Sequence, residues 1–200
     1  MKERYFLPMF APLCAGFVYP ATGEPITPSG PASFVAPTDK ALVVFVSHSK
    51  RGKAYIVDEG KKFVTMLHGN QYGMTTVEPG KHTFYVISEN AELVRGELDA
   101  GRTYIIEIRK KMGLGKSRVI VEPVLRNTRR FAESAEWLRE TGPAKPDPED
   151  GAKWMRRRQN VVDKRIAVAE EEWSQGTEKY RASLSISVED GRTADEASKL

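Results

Sequence analysis

The stretch from residue 72 to residue 108, YGMTTVEPGKHTFYVISENAELVRGELDAGRTYIIEI, decides the fold. Four short runs rich in β-branched and aromatic residues, 72–77, 83–87, 93–98 and 103–108, are separated by turn residues. Glu78-Pro79-Gly80 offers Pro and Gly for the central positions of a type II turn. Ser88-Glu89-Asn90 and Ala100-Gly101 punctuate the next two joints. In 103–108, Tyr104, Ile106 and Ile108 alternate with mixed residues, as a half-buried strand requires.

The same pattern extends to both sides. Upstream, runs at 41–46, 54–57 and 63–67 are divided by Ser49-Lys50-Arg51-Gly52 and by the hairpin-type turn Asp58-Glu59-Gly60. Downstream, 119–124 follows a basic, Gly-containing loop. Strands at this spacing predict a mainly β fold, an antiparallel β-sandwich of about seven to eight short strands over residues 39–125.

The turn Val77-Glu78-Pro79-Gly80-Lys81-His82 after Tyr72, followed by Ala100-Gly101-Arg102-Thr103-Tyr104, resembles a family of small bacterial lipoproteins. Their shared domain has an aromatic strand, a Pro-Gly-x-His turn and a Gly-x-x-Tyr strand. The turn is also similar to PEGA-type surface β-domains and to carboxypeptidase-regulatory-like sandwiches. The resemblance covers roughly residues 38–125 and implies a β-sandwich outside the cytoplasm with no established catalytic activity.

The N-terminus agrees in outline. Met1-Lys2-Glu3-Arg4 is charged, and residues 5–19 carry no charge, so residues 1–19 read as a signal or lipoprotein leader. Cys14 stands where a lipoprotein carries its lipidated cysteine, although Leu13 replaces the small residue that normally precedes it. Residues 20–38 alternate Pro with Gly, Ser and Thr and read as a linker or cover strand. The expected address is the bacterial cell envelope, periplasmic or lipid-anchored, with the cytoplasm as the alternative.

Residues 126–190 read as a helical extension. Phe131, Ala135 and Leu138 share a stripe at 131–140, which Thr141-Gly142-Pro143 ends. Asp147, Glu149 and Asp150 suit the start of a second helix, expected over about 152–182. Its apolar residues, Met155, Val162, Ile166, Ala169, Trp173 and Tyr180, follow heptad-like spacing, with Gln159 and Gly176 in the gaps. Two uses fit this seam: docking on the chain's own β-domain, or pairing with a partner helix or a second copy through Val162, Ile166, Ala169, Trp173 and Tyr180. Residues 191–200 are polar and read as a flexible tail.

Composition and motifs point away from an enzyme. The chain has 200 residues, one cysteine and three histidines, too few for a disulfide framework or a Cys-rich metal site. Lys110–Ser117 ends in Gly-Lys-Ser, but a P-loop needs a glycine where Lys110 stands and a helix where a strand follows. His48, His68 and His82 lie beside separate turns, and His82 is expected to make a structural hydrogen bond. Asp58 and Glu59 are expected to be solvated in their turn. No cofactor or metal is expected. The net charge of +4 lies in residues 1–125, with sixteen Lys and Arg against twelve Asp and Glu; the remainder balances at fifteen each. Lys50, Arg51, Lys53, Lys61, Lys62, Lys110, Lys111 and Lys116 sit on loops and would form a patch for an anionic envelope surface if those loops shared one end. The loops interleave no aromatics, which disfavours nucleic acid.

Overall fold

The computed structural model describes residues 33–49, 52–112, 117–145 and 147–200. All eight expected strands form: β1 (Ala41–Ser47), β2 (Lys53–Asp58), β3 (Phe63–His68), β4 (Gln71–Val77), β5 (Gly80–Ile87), β6 (Ala91–Leu98), β7 (Thr103–Met112) and β8 (Ser117–Pro123). Helix α1 (Arg129–Glu140), the two-residue β9 (Gly142–Pro143), α2 (Pro148–Gln175), α3 (Glu178–Ser183), β10 (Ser185–Ile186) and α4 (Ala194–Ala197) follow.

The strands make two five-stranded sheets, ordered β8-β7-β1-β4-β9 and β10-β6-β5-β2-β3. The expectation of a purely antiparallel arrangement is corrected here. β1 pairs antiparallel with β4 but parallel with β7, and β9 and β10 join β4 and β6 in parallel. The reason lies in β1 itself. Ala-Leu-Val-Val-Phe-Val-Ser is buried at every residue, so it takes an interior position covered on both faces. Ala41, Val43 and Phe45 face the core shared with the other sheet, among Ile56, Phe84, Val86, Ile106 and Ile108. Leu42, Val44 and Val46 face outward and meet Leu138 of α1.

Each outer sheet face is therefore closed by a helix. α1 covers the first sheet through Leu138, with Phe131 and Trp137 partly buried beside it. α2 covers the second. Its Met155, Val162, Ile166 and Ala169 pack on Val57, Tyr85, Ile87 and Leu93, and Trp154 stacks on Tyr55 at 3.7 Å. Burying Met155, Val162 or Ile166 is worth roughly 1.5–3 kcal/mol each. The seam is thus spent on the chain's own sheet, the first of its two expected uses. α2 is also shorter than expected. Asp147 caps its start by accepting from the Glu149 and Asp150 amides, Gly176 ends it, and Thr177 opens α3, so Tyr180 lies on a separate helix.

Two expected boundaries move for the same reason. Phe34 and Ala36 belong to the outer cluster, and the Phe34 carbonyl accepts the Thr103 hydroxyl at 2.6 Å, so residues 33–38 are domain rather than linker. Residues 191–200 are docked rather than a flexible tail. Arg192 pairs with Thr103 across a short bridge, its guanidinium lies 3.8 Å from the Phe131 ring centre, and Leu200 packs on the α1 cluster. Arg126 holds Glu196 through two 2.9 Å bonds and also donates to the Glu189 and Gly191 carbonyls. The helical extension is accordingly the outer layer of the same unit, and no described helix is long and apolar enough to cross a membrane.

Candidate functional site

Because β1 takes the interior of the first sheet, β8 is left at its edge with outward-facing amide and carbonyl groups. Among the described residues no strand pairs with them. Asn90, just before β6, and Glu92 near its start do so instead. The Asn90 amide donates to the Val119 carbonyl at 3.1 Å while its oxygen accepts the Val119 N–H at 2.8 Å. Glu92 Oε2 accepts the Val121 N–H at 2.8 Å. A free strand edge is a template for unwanted pairing, and this clip closes it.

Beside the clip lies a cleft of about 520 Å³. Its floor is the start of β6 with Ala91 and Glu92; one wall is the end of β7 and β8 with Lys111, Arg118, Val119 and Ile120; the other is α2 with Lys164, Arg165, Val168 and Glu172. The volume falls in the range of small-molecule sites. Arg165 is held in place, donating to the Ser88 carbonyl and lying 3.7 Å from Glu89. Glu92, Glu172, Lys111, Arg118 and Lys164 are in no ion pair among the described residues. Val168 is 53% exposed on the wall.

Glu92 is the electrostatic centre of this cleft. Burial pushes its carboxyl up, the Val121 amide pulls it down, and the Glu172 and Glu122 carboxylates push it up again, to about 7. Tyr180 on α3 is raised by burial and then by the same Glu92 and Glu172 charges, which places it beside the cleft's acidic side. Glu92, between the Ser88-Glu89-Asn90 turn and the expected run at 93–98, was not singled out in the sequence. The available signal was parity: it is in phase with Val94 and Leu98, which face the shared core, and a charged residue at such a position needs a partner.

A second cleft, about 370 Å³, gathers Glu59, His82, Thr83, Arg95, Gly96 and Ser185. It has the composition of a nucleophile, base and carboxylate set, yet the bonding does not suit that chemistry. His82 Nε2 is 2.7 Å from the Glu78 carbonyl, which only accepts, so Nε2 carries a proton. Nδ1 is 3.1 Å from Glu59 Oε1. Both ring nitrogens are committed, and Ser185 Oγ donates to the Arg181 carbonyl at 2.7 Å rather than to a base. Burial lowers the His82 pKa, but the Glu59 hydrogen bond and the Glu78 carbonyl outweigh it and the net shift is upward. Burial likewise raises Glu59, and the His82 and Thr83 bonds reverse the sign. The pair is an imidazolium–carboxylate clasp between two turns. Asp58 beside it is 6% exposed, not solvated as expected, because its carboxylate accepts the Lys62 amide at 2.8 Å inside the turn.

The other sequence candidates are dispersed. Cys14, Lys50, Arg51 and Lys116 lie outside the described residues. Lys110 and Lys53 do meet, the Lys110 ammonium donating to the Lys53 carbonyl at 3.1 Å and being lowered by burial. Lys61 and Lys62 sit at the opposite end of β2, roughly 20 Å away at about 3.3 Å per residue. Lys61 is bonded to Asp163 of α2 at 2.6 Å. The single-ended patch is therefore corrected: Lys53, Lys110 and Lys111 share one end, and Lys61 and Lys62 do not. Lys110–Ser117 joins two antiparallel strands, which is no phosphate-binding strand–loop–helix. Among the described residues no group of three or more His, Cys, Asp and Glu is placed to hold a metal. No protein-family model matches the chain, and no curated protein matches it.

Proposed function

We propose that the chain is a non-enzymatic binding module of the bacterial envelope, built on a β-sandwich, which holds a small charged ligand in the cleft between α2 and the β8 edge. The supporting observation is that Glu172, Lys111, Arg118 and Lys164 line this cleft without ion-pair partners around Glu92, whose carboxyl at the floor is raised toward neutrality. Charges left unpaired beside a concave, partly apolar surface are the features of a site awaiting a charged ligand. Nuclear magnetic resonance tests this directly. Titrating labelled full-length protein with ethylamine, acetate and a free tripeptide is expected to shift the amides of residues 89–92, 118–120 and 164–172 with at least one probe. Silence there with all three, up to about 10 mM, overturns the reading.

The address rests on the uncharged run at 5–19 and on Cys14. Mass spectrometry of the mature N-terminus is expected to show a lipid on Cys14 or a cleaved leader, and an intact chain in the cytosol overturns it. A second reading, a cytosolic adaptor that binds a partner protein through α2, draws on Val161 and Val168. They are 38% and 53% exposed on the flank of α2, each one residue before the buried Val162 and Ala169, and Val168 also lines the cleft. This surface replaces Ile166 and Trp173 as the place to look for such a partner.

A further inference from the structure

We infer that the α2–β8 cleft binds a zwitterion, an α-amino acid or short peptide with free termini, its ammonium held by Glu92 and Glu172 and its carboxylate by Lys111, Arg118 and Lys164. This rests on the cleft being the binding site and adds the class of ligand. The reasoning is one of charge placement. Apart from the Arg165–Glu89 pair, two carboxylates and three cations line this cleft, and these five do not pair with one another. A purely anionic ligand would satisfy the cations and set its charge against Glu92 and Glu172. A purely cationic ligand would do the reverse. Only a ligand carrying both charges relieves both sets.

The hydrogen-bonding capacity agrees. Glu92 gives Oε2 to the Val121 amide, leaving Oε1 to accept from a ligand ammonium without opening the edge clip. An ammonium also favours the ionised form of Glu92, so binding and ionisation support each other. Ala91, Val119 and Ile120 at the floor and wall, with Val168 at the rim, offer contact for an apolar side chain between the two charged ends.

The test uses the full chain and five probes followed by amide shifts: alanine, trialanine, N-acetyl-trialanine, trialanine amide and ethylamine. Trialanine or alanine is expected to shift the cleft residues, and blocking either terminus is expected to weaken binding at least about tenfold, the worth of one charged hydrogen bond. Comparing alanine with trialanine separates a free amino acid from a peptide. Glu172→Gln, on an exposed position, is expected to weaken the zwitterion by a similar factor, and Glu92→Gln, which keeps an acceptor for Val121, provides a second variant. If blocked probes or ethylamine bind as tightly as the zwitterion, the inference fails while the cleft remains a site. If no probe shifts the cleft, both fail.

Discussion

The His82–Glu59 clasp gives a prediction whose sign follows from bonding. With a carbonyl on Nε2 and a carboxylate on Nδ1, only the imidazolium makes both bonds. The group's pKa is raised on folding, so its contribution is complete below the unfolded value near 6.5 and is lost as pH rises through the higher folded value. Glu59 has the opposite sense, its contribution being lost as pH falls through its lowered pKa. A charge-assisted bond is worth about 1.5–3 kcal/mol when shielded. Glu59 is 44% exposed, however, and solvent screening brings the pair to about 1 kcal/mol. His82→Gln keeps one neutral donor and loses the charge. It is therefore expected to cost about 1 kcal/mol near pH 6, or about 2–4 °C in Tm for a chain this size, and almost nothing near pH 9. The comparison must be with wild type at each pH, because burial lowers the His48 pKa and gives a background slope of opposite sign. Urea unfolding at the two pH values measures the difference. A cost that is flat with pH, or larger at pH 9, refutes the imidazolium assignment.

Further variants probe how the helices are held. Gly151→Ala should destabilise despite alanine's better helix propensity, because the added Cβ would lie 2.2 Å from the Phe63 ring; thermal melts should show a loss of about 1 kcal/mol, where propensity alone predicts a gain. Ile166→Ala should cost about 2–5 kcal/mol in urea unfolding, whereas Val168→Ala on the exposed face should stay within about 0.5 kcal/mol. Arg126→Ala removes the bonds to Glu196 and to the Glu189 and Gly191 carbonyls, so hydrogen exchange should quicken over residues 189–200 before it does in β1.

The strands were legible because their signal is local. Turn chemistry at Pro79-Gly80 and Gly101 and the apolar content of each run place all eight to within a few residues. Pairing is not local. The parallel contact of β1 with β7 joins residues about 60 apart, and its one trace is the unbroken burial demanded by Ala41–Val46, a run that reads equally as a strand of either sense. The two-residue strands β9 and β10 have too few residues to carry a periodic signal. The α2 seam was legible as a seam that could dock on the chain's own β-domain, while the strands it covers, β2, β5 and β6, were not. The cleft was the least legible feature, since Asn90, Glu92, Arg118, Lys164 and Glu172 come from three distant segments and each alone reads as a solvated surface residue.

The cleft follows from the same topology that hid it. Parallel pairing of β1 with β7 drives β8 to the sheet edge, and that edge meets the start of β6 at the corner where the sheets converge. A third strand there would have filled the space and satisfied Val119 and Val121 with backbone. Side chains satisfy them instead, and side chains leave room. Closing the edge with a carboxylate also brings a charge into a poorly solvated corner, where Glu172 raises its protonation further and α2 supplies Lys164 on the facing wall. On the proposed reading, edge protection and ligand binding would draw on the same residue without competing for the same oxygen. Glu92→Leu separates the two: it leaves the Val121 amide without its acceptor, so hydrogen exchange at Val121 should quicken and zwitterion binding should fall together, whereas Glu172→Gln should weaken binding and leave Val121 protected.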